Sequence, residues 1–90
     1  MFLFSLGAIV ATPAALAAVE EAREDPSAYL RRHLSGDWGD VDDFDKLQNE
    51  SALENDYRIL SEYALGNGTR IWIITEADRS STCLLLPSDY

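Results

Sequence analysis

The sequence contains few of the cysteines and histidines that form disulfides, metal sites or catalytic centres. It has one cysteine and one histidine in 90 residues. A single thiol cannot form a disulfide within the chain, and the two residues together supply too few ligands for a zinc site. Neither a serine-hydrolase elbow nor a phosphate-binding glycine loop occurs in the sequence. We therefore expect no enzymatic activity, no cofactor and no metal.

The remaining candidates for chemistry have simpler structural explanations. The cysteine belongs to the apolar run Cys83-Leu84-Leu85-Leu86, which is typical of a buried thiol. His33 is predicted on the apolar side of a short helix, where a histidine is more often a hydrogen-bonded core residue. Asp40, Asp42 and Asp43 offer oxygen atoms suited to calcium, but the spacing of a calcium-binding loop is missing.

Positive charge is scarce, with seven basic residues against sixteen acidic ones and a net charge of -9. Such a chain is not expected to bind phosphate backbones or membranes directly, so its expected partner is a protein with a basic surface. Between residues 37 and 56 eight acids stand against Lys46, which places seven of the nine net negative charges there. These acids are Asp37, Asp40, Asp42, Asp43, Asp45, Glu50, Glu54 and Asp56.

The acidic segment has two interpretations. It is either a solvated helix face with capping acids or a binding surface that imitates the phosphates of a nucleic acid. Within the segment Trp38 either anchors an interface or fills the core between helices. The candidate partner-binding residues are Asp37, Trp38, Asp40, Asp42, Asp43, Asp45, Glu50 and Glu54.

The N-terminal stretch from Met1 to Val19 carries no charge, and Ala15-Leu16-Ala17-Ala18 resembles the cleavage site of a secretory signal. No basic residue precedes the apolar stretch, however, and Thr12-Pro13 is a good helix start. We therefore expect this stretch to belong to the domain and the protein to be cytoplasmic. A cleaved signal or a membrane span is the alternative.

The periodicity predicts one α+β domain over residues 1–90, either monomeric or dimeric. An N-terminal strand is expected within 2–11, followed by helices over 12–24, 26–34 and 42–55. Three strands, over 57–65, 70–75 and 82–86, are expected to form an antiparallel meander with helices on one face. In the third helix the inward candidates are Phe44, Leu47 and Leu53, and Asn67-Gly68 is expected to turn the first hairpin at positive φ.

Two segments, Ser35-Gly36-Asp37-Trp38-Gly39-Asp40 and Ile74-Thr75-Glu76-Ala77-Asp78-Arg79-Ser80-Ser81-Thr82, resemble a family of small acidic bacterial proteins. The likeness extends over residues 6–90 and includes Ile9-Val10-Ala11-Thr12-Pro13 and Leu84-Leu85-Leu86-Pro87. Such proteins are carried on plasmids, phages and integrating elements, and are described as plasmid-related or, at times, as a type I restriction subunit.

The resemblance implies a genomic setting and transfers no catalytic residue. Cargo proteins of mobile elements often disarm host defence, and small acidic ones include anti-CRISPR and anti-restriction inhibitors. The leading hypothesis is therefore a non-catalytic, anti-CRISPR-type inhibitor that binds a nucleic-acid-handling complex through a DNA-mimicking acidic patch. The alternative is an accessory protein-binding module of the element with no defence role.

Overall fold

The computed structural model describes residues 2–90. Within them, four strands and three α-helices follow in the order β1 (Ala8–Ala11), α1 (Pro13–Glu21), α2 (Pro26–Leu34), α3 (Asp43–Asn55), β2 (Ile59–Ala64), β3 (Arg70–Thr75) and β4 (Ser81–Leu85). A 3-10 turn, Pro87–Asp89, comes last. No helix in this part of the chain is long and apolar enough to cross a membrane.

The α+β class and the three helices are confirmed, and the sheet is four-stranded and mixed, with strand order β1-β4-β3-β2. The three C-terminal strands pair antiparallel, as predicted, but β1 extends them by pairing parallel to β4. The meander is therefore not a separate three-stranded sheet. The N-terminal strand is also shorter than predicted, because β1 begins only at Ala8.

Each helix begins at a side-chain cap that the sequence predicts. Thr12, Asp25 and Asp42 each accept a hydrogen bond from a backbone N–H in the first turn of the helix that follows. These bonds satisfy donors that have no partner within the helix. The first helix ends before the predicted Glu24, since Arg23 adopts a left-handed conformation with φ 56°.

Two groups of buried side chains hold the helices to the sheet. Helices α1 and α2 cover one face, where Val19 and Tyr29 pack with Tyr63, Ile73 and Leu84. A smaller cluster lies between α3, β2 and the loop before α3. Its buried members are Trp38, Val41, Ala52 and Ile59.

The inward face of α3 differs from the prediction. Phe44 and Leu47 are 67% and 69% exposed, and Leu53 is only half-buried. The side chain that fixes the helix is polar: the Asn49 amide donates to the Leu60 carbonyl at 2.7 Å and accepts from its N–H at 3.0 Å. Because this pair of bonds turns Asn49 toward β2, Phe44 and Leu47 face solvent.

The loop before α3 runs along the outer edge of β2. The Glu62 N–H donates to the Trp38 carbonyl at 3.1 Å, and the Glu62 carbonyl accepts from the Asp40 N–H at 2.7 Å. Between them Gly39 forms an isolated parallel bridge with Glu62 at φ 73°. A Cβ atom at Gly39 would clash with the Glu62 carbonyl, so this close approach requires glycine.

The hairpin between β2 and β3 is where the sequence predicts it, but only one of the two expected residues has positive φ. Gly68 has φ 88°, whereas Asn67 lies outside the positive region. The Gly68 N–H donates to the Leu65 carbonyl at 2.8 Å, which closes a turn. A turn followed by a left-handed glycine suits a hairpin loop longer than two residues, so Asn67 needs no left-handed conformation.

Candidate functional site

The solvent side of α3 carries a row of three carboxylates and one leucine. Asp43, Leu47, Glu50 and Glu54 are spaced at i, i+4, i+7 and i+11, so they share one helix face over about 16 Å. All four are exposed, and so is Phe44 beside them. We call Asp43, Phe44, Leu47, Glu50 and Glu54 the α3 outer surface. It presents two large apolar side chains among three acids.

The acids of α3 have no ion-pair partner within residues 2–90. The ion pairs in this part of the chain join Arg32 to Asp37 at 2.7 Å, and Arg70 to Asp40 at 2.9 Å and to Glu62 at 3.6 Å. Two of the predicted binding acids, Asp37 and Asp40, are therefore partly neutralised by the protein itself. Of the thirteen acids without an ion pair in this part of the chain, four lie on α3, which also carries Lys46.

A second acidic feature is a groove of about 250 Å³ between the N-terminal end of α3 and the face of β2 and β3 opposite the helices α1 and α2. Partial burial, together with the negative charge of Asp42, raises the pKa of the Asp45 carboxyl. The groove is lined by Asp40, Val41, Asp42, Asp45, Leu60, Glu62 and Trp72. Carboxylates beside an indole face suit the side chain of an arginine or a lysine.

Asp42 and Asp45 do not contribute to this groove in the same way. Asp42 caps α3, where its carboxylate accepts from the Asp45 N–H at 2.8 Å. Removing it would weaken the helix as well as any binding. Asp42 is therefore both a structural residue and a member of the groove, whereas the acids of the α3 outer surface include no helix cap.

Trp38 is a core residue and not an accessible interface anchor. It is 4% exposed and packs near Phe4 and His33, with ring centroids 6.4 and 6.0 Å away. Its indole N–H donates to the Glu50 carboxylate at 3.3 Å. The interpretation of Trp38 as a plug between helices describes its position, and we remove it from the candidate binding residues.

His33 lies in the core and joins α2 to the sheet. Its Nδ1 is 2.6 Å from the Ser61 hydroxyl and its Nε2 is 2.9 Å from the Thr75 hydroxyl. The Thr75 hydroxyl is hydrogen-bonded to the Thr82 hydroxyl at 2.7 Å, and the Thr82 hydroxyl donates to the Leu6 carbonyl at 2.8 Å. The imidazole has no exposed surface, so a substrate has no access to this Ser-His-Thr chain. Burial lowers the pKa of His33 to about 4.

The cysteine is more accessible than predicted. Cys83 is half-buried, because it points to the sheet face that α1 and α2 leave uncovered. Burial raises the pKa of its thiol, with the negative charges of Asp89 and Glu76 adding to the effect. A raised pKa keeps the thiol protonated, which is the less nucleophilic form.

Two members of the groove, Glu62 and Trp72, were not predicted as site residues. They are paired across β2 and β3, and the Trp72 indole N–H donates to Glu62 at 2.9 Å. The alternation of side chains along a strand could have predicted that both point away from the core, because their neighbours Tyr63 and Ile71 are buried on the opposite face of the sheet. Predicting that the two residues are neighbours also requires the register between β2 and β3, which was not predicted from the sequence.

Within residues 2–90 no group of three His, Cys, Asp or Glu side chains is arranged to hold a metal ion. Comparison with protein-family models, with curated proteins and with solved structures finds no match for the chain. The function must therefore be argued from the chemistry of the site itself.

Proposed function

We propose that the protein is a non-catalytic inhibitor of the anti-CRISPR type, which binds a nucleic-acid-handling defence complex in the cytoplasm of a bacterial host. The binding site in this proposal is the α3 outer surface, with the neighbouring groove as a second contact. The observation that supports it most is the row of exposed α3 carboxylates that form no ion pair within residues 2–90. A partner that handles nucleic acid provides the complementary basic surface.

The charge in the C-terminal half of α3, at Glu50 and Glu54, is better suited to association than to stability. Like charges three or four residues apart on a helix destabilise it by a few tenths of a kcal/mol per pair, as for Glu50 and Glu54. A basic partner removes this repulsion on binding. Complementary charge also accelerates the encounter and fixes the orientation of the two proteins.

The apolar part of the surface indicates that the partner is a protein. Phe44 and Leu47 are adjacent on the helix, with Asp43 and Glu50 beside Leu47, which is the arrangement of an interface with an apolar centre and a polar rim. A surface that only imitates phosphates requires negative charge, and this does not explain two exposed apolar side chains. The same observation supports a second candidate function, an accessory protein-binding module of a plasmid or integrating element.

The groove offers a place for one basic side chain of the same partner. Its carboxylates lie at the N-terminal end of α3, next to Asp43 of the outer surface, so one partner can contact both. Arg70 already occupies a position beside Asp40 and Glu62. A guanidinium from the partner would therefore be directed to Asp42 and Asp45, which have no ion pair within residues 2–90.

The test is an interference assay in hosts with an active CRISPR or restriction system, which counts phage or plasmid escape with and without the protein. We expect escape to rise when the protein is expressed. The variant F44S/L47S should lose this effect, whereas L16S should keep it, because Leu16 is similarly exposed but lies on α1. Unchanged escape with soluble wild-type protein would refute the inhibitor.

The accessory module is distinguished by what the protein captures from cells. Effector subunits of a defence system, captured by wild-type protein and lost with F44S/L47S, support the inhibitor. Capture of proteins encoded by the mobile element alone, with no change in escape, supports the accessory module and rejects the inhibitor.

A further inference from the structure

The two edges of the sheet differ in how their backbone groups are satisfied. On β2, the outward N–H and C=O groups of Leu60 bond to the Asn49 side chain, and those of Glu62 bond to the loop before α3. That edge is closed to further pairing by the chain itself. The β1 edge has no comparable cover among residues 2–90.

The backbone N–H and C=O groups of β1 that have no partner within residues 2–90 can be identified, because successive residues of a strand direct these groups to opposite sides. The Ala8 N–H donates to the Ser80 carbonyl at 3.0 Å and the Thr12 N–H to the Leu84 carbonyl at 2.9 Å, so these groups face β4. Alternate residues of a strand direct their backbone groups to opposite sides. The N–H and C=O groups of Ile9 and Ala11 therefore point away from the sheet, and no other hydrogen bond in the described chain uses them.

The side chains of this edge are apolar and exposed. Ile9 is 55% exposed and Val10 is 49% exposed, on opposite faces of the sheet. No residue between Met1 and Val19 carries a charge. Exposed edge strands are commonly protected by charged side chains, and an unprotected apolar edge is a template for pairing with another strand.

We propose that β1 pairs antiparallel with β1 of a second copy of this chain, about a two-fold axis, so that the two four-stranded sheets become continuous. The outward groups of Ile9 and Ala11 set the register. Ile9 lies opposite Ala11 of the second copy, and Val10 lies opposite its own equivalent. This register forms four backbone hydrogen bonds and brings the two Val10 side chains together in a non-hydrogen-bonded pair.

The position of the charge permits a second copy at this uncharged edge. Two chains of net charge -9 repel each other, but most of that charge lies on the loop before α3 and on α3, beside the opposite edge of the sheet. Three strand spacings separate β1 from β2, which is about 14 Å and exceeds the screening length of about 8 Å at physiological salt. Pairing through β1 therefore keeps the acidic surfaces at the two ends of the dimer.

Sedimentation measures the proposed dimer directly. Wild-type protein at tens of micromolar is expected to sediment at twice the chain mass of 10.0 kDa. V10K should sediment as a monomer, since it places two ammonium groups across the two-fold axis. F44K is the matched control, because it introduces the same charge at an exposed apolar residue of α3, and it should remain a dimer. Circular dichroism checks that each variant is folded.

Disulfide trapping provides a measurement that does not depend on tolerance of a lysine. The free Cys83 is the register partner of Val10 within the chain, so trapping uses V10C/C83S to prevent an internal disulfide. This variant should crosslink to a covalent dimer much faster than F44C/C83S. A wild-type monomer at all accessible concentrations, or equal crosslinking of the two variants, overturns the proposed dimer. Neither result bears on inhibition through the α3 outer surface.

Discussion

At the scale of single residues, His33 shows how burial and charge determine one protonation state. Both ring nitrogens have hydroxyl partners, Ser61 and Thr75, which a neutral imidazole satisfies with one donor and one acceptor. Burial disfavours the charged ring, and the positive charge of Arg79 disfavours it further. The imidazole is therefore a neutral link between α2 and the sheet throughout the physiological pH range.

The pKa of His33 predicts a specific loss of stability in acid. Well above pH 6.5 the ring is neutral in both the folded and the unfolded chain, so it contributes nothing to the pH dependence there. Between pH 6.5 and about 4 only the unfolded chain gains the proton, so the free energy of unfolding decreases, by roughly 3 kcal/mol in total. NMR titration of the only histidine should give a pKa near 4, and a value near 6.5 would contradict the buried position.

The carboxylates titrate over part of the same range, so the stability measurement needs a reference. Urea unfolding of wild type and of H33Q between about pH 7 and pH 4.5 provides it, because the variant keeps every carboxylate and lacks the ring. The wild-type free energy should decrease more steeply than that of H33Q. Parallel curves would show that acids alone govern the pH dependence.

At the scale of secondary-structure elements, the C-terminal end of α3 depends on a distant arginine. The guanidinium of Arg79 donates to the Ala52 carbonyl at 2.9 Å and to the Tyr57 carbonyl at 2.7 Å, with further bonds to its own loop. The last carbonyls of a helix have no partner within it. Arg79 therefore satisfies backbone groups of the turn that leads from α3 into β2.

Replacement of Arg79 should destabilise the protein without changing its fold. R79A leaves several carbonyls without their charged donor, and we expect a loss of roughly 2 kcal/mol of unfolding free energy. R79K should recover only part of this loss, because an ammonium cannot reproduce the planar fork of donors. Urea unfolding tests both, with R31A as control, since the Arg31 side chain is exposed. Equal stability of R79A and R31A would mean that the hydrogen bonds of the Arg79 guanidinium contribute nothing to the free energy of unfolding.

Local signals in the sequence located some elements well and others poorly. The starts of α2 and α3 follow from Asp25-Pro26 and Asp42, because a cap and its helix are adjacent in the chain. The parallel pairing of β1 with β4 depends on residues more than seventy positions apart, and no local pattern encodes it. The prediction that Phe44 and Leu47 face inward was wrong for the same reason, since the hydrogen bonds between Asn49 and β2 determine which face of α3 is buried.

At the scale of the whole molecule, the structure divides the acidic segment that the sequence identified. Asp37 and Asp40 form ion pairs with arginines and Asp42 caps a helix. On the α3 outer surface, Asp43, Glu50 and Glu54 are exposed and form no ion pair with the residues that the structure describes. The sequence located the charged region, but assigning a role to each acid required knowing which basic residues the fold brings close.

The central claim is that the position of the acids on α3, and not the net charge of the chain, is responsible for binding and inhibition. Two double variants separate these effects: D43K/E54K on the α3 outer surface and E20K/E21K on exposed positions of α1. Each reversal adds two charges, so both variants change the net charge from -9 by +4 to -5. Exposed charges contribute little to stability, so both variants should remain folded.

The interference assay on these two variants is the most direct test. We expect D43K/E54K to lose inhibition and its capture of the defence complex, and E20K/E21K to inhibit as the wild-type protein does. If both folded variants inhibit like wild type, the acids of α3 are a solvated surface. If both lose inhibition equally, net charge is responsible, and in either case the position of the acids on α3 does not determine binding.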